Sequence, residues 1–202
     1  MCGGSASGAW FAWGYNAEGQ LALGDTAHRT VPTRVESMSS LGVASLSCGG
    51  HHVLALTSTC VYVYCFESDC GAAAGDVYAW GYNDNGELGL GHITNASTPQ
   101  RVTALAGKDI ARVVGSAYMS AAITGASLSV MLPVSHLGPA EGVLYMWGYN
   151  AFGTLGLGDT DRRHTPTVVS SLSGRRVVDV VSSGDHTVAL TGAWVVCEKH
   201  CV

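Results

Sequence analysis

Cysteine and histidine are the residues in this chain whose chemistry first asks for an explanation. Cys60, Cys65 and Cys70 stand five residues apart, and His200 lies between Cys197 and Cys201. Thiolates and imidazoles grouped in this way could in principle hold zinc, but structural zinc sites use tighter Cys pairs, so these side chains read as unpaired thiols in loops. The seven cysteines are an odd number in a chain too long to need a disulfide framework, and a reducing compartment is the simpler expectation. His52 and His186 could be cast as bases or metal ligands. Each precedes an apolar strand at the same phase, which suits a core histidine hydrogen-bonded to a neighbouring turn. Asp25 and Asp159 follow Gly24 and Gly158, where an Asx-turn on their own backbone is a better reading than a catalytic carboxylate. There is no acid pair, no nucleophile with a base, and no Gly-x-x-x-x-Gly-Lys phosphate loop. The sequence therefore reads as a non-enzyme, with no catalytic, cofactor-binding or metal-binding residue assigned.

These residues recur because the chain is a tandem array. Trp-Gly-Tyr-Asn occurs at Trp13, Trp80 and Trp147, each 67 residues after the last. The frame extends further: Gly19, Leu21, Leu23, Gly24, Pro32, Val43, Ala55 and Thr57 recur as Gly86, Leu88, Leu90, Gly91, Pro99, Ile110, Ala122 and Thr124. They recur again as Gly153, Leu155, Leu157, Gly158, Pro166, Val177, Ala189 and Thr191. A unit that cannot bury its apolar face alone becomes stable by stacking on copies of itself. The repeat domain spans 8–202, with repeats at 13–57, 80–124 and 147–191, irregular joints at 58–74 and 125–141, and a tail at 192–202.

Composition agrees with many short buried strands joined by tight turns: 47% of residues are hydrophobic, only 12% are charged, and 27 are glycine. Val77 to Trp80 is an aromatic and β-branched run that stops at Gly81, and should be a strand. Tyr82-Asn83-Asp84-Asn85-Gly86 follows as a turn whose Asn and Gly residues tolerate positive φ, and Leu88 and Leu90 plug it. Pro99 to Val102 reads as an outer edge strand, where a proline is tolerated. Ile110 to Val114 and Tyr118 to Thr124 add two more, matched by Val43 to Cys48 with His52 to Thr57, and by Val177 to Val181 with His186 to Thr191. Each period thus holds four strands, and the chain is expected to be all-β.

Trp-Gly-Tyr-Asn, the Gly-x-Leu-x-Leu-Gly-Asp loop, the proline beyond it and Cys48-Gly49-Gly50-His51-His52 leading into Ala55-Leu56-Thr57 together resemble the repeats of the regulator of chromosome condensation family. The resemblance implies a β-propeller with one four-stranded antiparallel blade per repeat. It departs from the family pattern at His92 and Met119 in the second unit, at Ser116 and Ser183 against Gly49, and at Ala22 against Gly89 and Gly156; each swap is expected to weaken a turn or a hydrogen bond locally. Some propellers of this kind sense light through clustered tryptophans. Here Trp13, Trp80 and Trp147 fall one per unit, at positions that fill the gap between neighbouring blades, and only Trp10 and Trp194 lie outside them, so no chromophore is expected.

A propeller closes with about four to eight blades, so three units make an open arc whose ends expose strand edges. The chain opens on the last two strands of a blade, Trp10 to Val35, and ends on the first two, Val177 to Thr191. The joints are either long loops on one face, offering a binding surface, or translated non-coding sequence between exons that encode repeats. The preferred function is a non-catalytic protein–protein interaction module. The alternatives are a guanine-nucleotide exchange factor for a small GTPase, the activity best associated with the resemblance, and a fragment of a larger multidomain protein such as a ubiquitin ligase. No exchange residue can be carried onto a numbered position here. The expected partner is a protein, including a small GTPase among the candidates, with self-association possible through the open edges. With 10 basic and 15 acidic residues and a formal charge of −5, direct nucleic-acid binding is not expected. No apolar run approaches about 18 residues, and residues Met1 to Ala9 carry no signal peptide, so the expected location is intracellular, cytoplasmic or nuclear, away from membranes.

Overall fold

A computed structural model describes residues 9–57, 75–125 and 142–192. The sequence between them, which includes nearly all of both joints, lies outside the described residues, as do Cys60, Cys65, Cys70, Trp194, Cys197, His200 and Cys201. The described chain forms β1 (Phe11–Gly14), β2 (Arg29–Arg34), β3 (Val43–Cys48), β4 (His52–Thr57), β5 (Val77–Gly81), β6 (Ala96–Arg101), β7 (Ile110–Gly115), β8 (Met119–Thr124), β9 (Leu144–Gly148), β10 (Arg163–Val168), β11 (Arg176–Ser182) and β12 (Thr187–Gly192). These strands build two complete antiparallel sheets, β3-β4-β5-β6 and β7-β8-β9-β10, flanked by the two-stranded sheets β1-β2 and β11-β12. The architecture is an open β-propeller of two whole blades between two half-blades.

Why the central strand of the first whole blade is apolar at successive positions is now clear. β4 is buried at every position, and its alternate side chains serve two different cores. Val53 and Ala55 pack back against the first half-blade with Ala22, Val35, Met38 and Trp80. Leu54 and Leu56 pack forward into the next blade with Val77, Ala79, Ile110, Val113 and Trp147. A sheet sandwiched between two neighbours needs apolar residues on both faces, so period-two alternation is lost. Each fully buried leucine in such a joint contributes about 1.5–3 kcal/mol. The outer strands behave differently: β6 and β10 lie at sheet edges, carry Pro99 and Pro166, and are only partly covered. A short 3-10 turn follows each outer strand, at Glu36–Met38, Thr103–Leu105 and Ser170–Leu172, and drops Met38 and Leu105 into the core.

The loop after each tryptophan-bearing strand is held by its asparagine. Asn83 is fully buried; its Nδ2 donates to the carbonyls of His92 (2.8 Å) and Thr94 (3.0 Å), and its Oδ1 accepts the Leu88 amide at 2.9 Å. Asn16 and Asn150 do the same, with Leu21 and Leu155 as the donors. In the turn expected to tolerate positive φ it is Gly86 (φ 88°) and not an asparagine that adopts it; among non-glycine residues described, only Ala22 (φ 59°) and Asp109 (φ 52°) are left-handed. The asparagine is there to satisfy three backbone groups of a buried loop, a demand that follows from the cost of orphaned amides and carbonyls.

Tryptophan locks one unit to the next. The Trp80 indole N–H donates to the Gln20 carbonyl at 2.9 Å and that of Trp147 to the Glu87 carbonyl at 2.8 Å, each in the loop of the preceding unit. Trp80 and Trp147 are 2% and 0% exposed, but Trp13 is 59% exposed. The expectation that all three fill gaps between blades holds for two of them. Among the described residues no loop of a neighbouring unit receives the Trp13 indole as the Gln20 and Glu87 carbonyls receive the other two.

Candidate protein-binding face

Aromatic rings gather where the tryptophan-bearing strand ends. Gly81 and Gly148, both at φ +103°, turn the chain off the strand, and a Cβ on Gly81 would lie 2.5 Å from the His51 carbonyl oxygen. The turn lets the Tyr82 amide donate to the His51 carbonyl and the Tyr149 amide to the Tyr118 carbonyl, both at 2.9 Å. Their rings are therefore neighbours: His51 and Tyr82 meet edge-on at 6.3 Å, Tyr118 and Tyr149 at 6.2 Å. Tyr15 extends the first group, stacked on His28 at 4.8 Å and edge-on to His51 at 5.8 Å. Phe152 and Arg162 extend the second, 6.3 Å and 5.7 Å from the Tyr149 ring. Tyr15, His51, Tyr118 and Phe152 are exposed. The hydroxyl of Tyr82 is held above its usual pKa by burial and by the charges of Asp84 and Glu87, so it remains a donor across the physiological range.

The residues singled out for chemistry are engaged in structure instead. His52 is buried, and Ser120 Oγ donates to the Glu87 carbonyl at 2.7 Å, so its contact with His52 Nε2 at 2.8 Å must be as acceptor. The histidine proton thus sits on Nε2, and a relay from His52 through Ser120 to the carbonyl that also receives Trp147 ties two blades together. Burial, with a smaller effect from His51, lowers its pKa to about 4. His186 does not share this environment: it is exposed and bonds only within its own turn, to Ser183 Oγ at 3.1 Å. In the second unit Met119 takes the same place, and its sulfur accepts from Ser182 Oγ.

Asp25 and Asp159 fold back onto the amides of Ala27 and Asp161, both at 3.0 Å, as Asx-turns. Each also pairs with the arginine four residues on, Arg29 and Arg163, and hydrogen bonds to that backbone amide and arginine hold both carboxyls below the usual range. The second unit has His92 and Ala96 at these two places; the ion pair is gone, yet His92 Nδ1 still accepts the Thr94 amide at 3.2 Å. Glu87 is buried, its carboxylate taking the amide and side chain of Asn85, and burial raises its pKa. Cys48 is the one cysteine among the described residues, exposed and unpaired. Among those residues no group of three His, Cys, Asp or Glu is placed to hold a metal, and no helix is long and apolar enough to cross a membrane.

Sequence reasoning treated the tyrosines of the tetrapeptide as turn residues and overlooked the face they form. The signal was available, since Tyr15, Tyr82 and Tyr149 recur with the tryptophans, but the partners His51 and Tyr118 differ between units and Phe152 has no counterpart ring.

The model of the regulator of chromosome condensation (RCC1) repeat matches residues 7–56, 74–123 and 141–190. The chain belongs to the regulator of chromosome condensation repeat family. The ultraviolet-B receptor UVR8 of Arabidopsis thaliana is 28% identical over 89% of this chain and 46% of its own length. The human E3 ubiquitin-protein ligase HERC2 is 32% identical over 93% of this chain and 3% of its own length. This chain thus spans less than half of either relative. Among solved structures, Prp20p of Saccharomyces cerevisiae, reported with its binding to Gsp1p and histones, superposes with a TM-score of 0.63 at 22% identity, covering 93% of this chain and 40% of that one. A second structure, yeast RCC1 (Prp20) bound to Kap60, gives 0.66 at 20% identity over 91% and 38%. The four-stranded blades of the RCC1-repeat chain described above are the fold these neighbours share.

Proposed function

We propose that this RCC1-repeat chain is a non-catalytic module that binds a protein partner through the aromatic face. The observation that carries this reading is the arc of tyrosines, with Phe152 and Arg162, held rigid by backbone hydrogen bonds at one end of the blades. Tyrosine and arginine are the side chains that concentrate binding energy in protein interfaces, because a rigid ring desolvates at low entropic cost while keeping a polar tip. By contrast His52 Nε2 and the carboxylates of Asp25, Asp159 and Glu87 are engaged in hydrogen bonds that hold the fold. The formal charge of −5 favours a protein over a nucleic-acid backbone. An intracellular setting, cytoplasmic or nuclear, goes with this reading, as does a place within a longer multidomain protein.

The test is photo-crosslinking from position 118 in cells, followed by affinity measurement on the captured protein. Replacing both Tyr118 and Phe152 by alanine should weaken that affinity by about tenfold or more while leaving the circular dichroism spectrum intact. An affinity unmoved by the pair of substitutions sinks the assignment of the face. Accelerated nucleotide release from a panel of small GTPases at substoichiometric chain would sink the non-catalytic reading instead.

A further inference from the structure

Given the protein-binding reading proposed for the aromatic face, we infer that the partner meets it with a basic segment, one of whose arginine or lysine side chains lies against Asp84 beside the rings of Tyr82 and Tyr118. The face is continuous because the turns between inner strands abut from one unit to the next. The Gly50 amide donates to the Ser116 carbonyl at 3.1 Å, and a Cβ on Gly184 would lie 3.2 Å from that of Ala117. His51, Tyr118 and Asp185 are the equivalent tips of these three turns, each 67 residues after the last, and all three are exposed. Beside them the Tyr82 hydroxyl donates to the exposed Asp84 carboxylate, and Tyr118 is close enough to act on the same hydroxyl.

Charge chooses the occupant. At this end of the blades Asp25 and Asp159 are neutralised by Arg29 and Arg163, and Glu87 is buried. Glu18, Asp84, Asp161 and Asp185 remain, and among the described residues none of them has a lysine or arginine at ion-pair distance. Arg162 alone opposes these four, with its guanidinium laid over the Tyr149 ring. Such a field draws in a cationic partner and repels an anionic one. Asp84 is singled out because the fold does not ask for it: the other two units build the same asparagine-closed loop with Ala17 and Ala151 at that place. Glu18, by contrast, already accepts Asn95 Nδ2 at 2.6 Å. A carboxylate beside exposed aromatic rings suits a guanidinium or ammonium group, which can pair with the acid while resting on a ring face. Tyr118 offers such a ring, 44% exposed.

Fluorescence anisotropy on the 202-residue chain tests this, with a labelled arginine–serine repeat peptide and a glutamate–serine repeat peptide of equal length as probes. The arginine peptide should bind and the glutamate peptide should not. Asp84→Ala and Tyr118→Ala should each weaken binding by about three- to tenfold with circular dichroism unchanged. Asp109→Asn serves as the control, because Asp109 is an exposed carboxylate before β7, at the opposite end of the blades; it should change affinity by less than about 1.5-fold. An arginine peptide that does not bind, an affinity unmoved by Asp84→Ala, or equal losses at Asp84 and Asp109 would each overturn the inference. The protein captured from position 118 separates this failure from a failure of the face. If its affinity still depends on Tyr118 and Phe152, only the basic partner is wrong; if that dependence is missing too, the face falls with it.

Discussion

Trp13 and Trp147 occupy the same place in the same tetrapeptide, yet one is 59% exposed and the other wholly buried. The difference lies entirely in the neighbour. Trp147 reaches the Glu87 loop of the unit before it and sits among Leu54, Val77, Leu88 and Ile110; among the described residues no such loop receives Trp13. His52 and His186 repeat the lesson in the opposite direction, because what covers His52 is the unit after it, through Ser120. Asparagine teaches the converse. Asn16, Asn83 and Asn150 are all fully buried whatever their distance from an end, since each closes the loop of its own unit. The chain thus holds two kinds of recurring residue, one that folds a unit and one that joins units, and only the second depends on position along the array.

The largest separation should come from the tryptophans. Trp147→Ala removes a fully buried indole and its hydrogen bond and should cost about 3–5 kcal/mol. Trp13→Ala, measured by urea unfolding, should cost under about 0.5 kcal/mol, as for other exposed positions. Equal losses would mean that Trp13 is buried in solution.

The joining histidine gives the next effect, as a dependence on pH. The pKa of His52 falls from 6.5 to about 4 on folding, so between those values the unfolded chain binds the extra proton and stability is lost as pH drops. The full loss is on the order of 3 kcal/mol by pH 4. His52→Met, which copies the residue found at Met119, should flatten that limb in denaturant titrations run from pH 7 to 4. Glu87 works against it: burial raises its pKa, so its own contribution is present at low pH and fades as pH rises through the folded value. A steep acid limb that survives the methionine substitution would place the titration elsewhere.

How much of this could be read beforehand separates along the same line. The strands were legible because β4 and β8 are mostly apolar, and the outer strands because Pro99 and Pro166 mark an edge. The Asx-turns at Asp25 and Asp159 followed from local chemistry. What stayed hidden was set across blades: the burial of one histidine and not the other, the exposure of one tryptophan in three, and the meeting of Tyr118 with Tyr149, which no spacing along the chain announces. The asparagine was legible as a turn residue, but its role was not, because only the fold shows three backbone groups waiting for its amide.

Residues that fold a unit should act alike in any unit. Asn83→Ala and Asn150→Ala each strand one buried amide and two carbonyls, and both should cost roughly 2–3 kcal/mol, equal to within about half a kilocalorie. A much smaller cost at Asn150, nearer the open end, would make the loop dependent on its neighbour after all.

The smallest effect is expected at Ala22, and it runs the other way. Ala22 holds φ 59° where Gly89 and Gly156 hold 70° and 68°, so the first unit keeps the glycine geometry with a side chain that disfavours it. An L-residue in the left-handed region is strained by about 1–2 kcal/mol, and the extra backbone entropy of an unfolded glycine recovers part of that. Ala22→Gly should therefore stabilise the chain by up to about 1 kcal/mol in urea unfolding. A loss of stability would mean that the methyl group, buried beside Trp80 and Val35, contributes more by packing than it costs in strain, and that the first joint has been built around it.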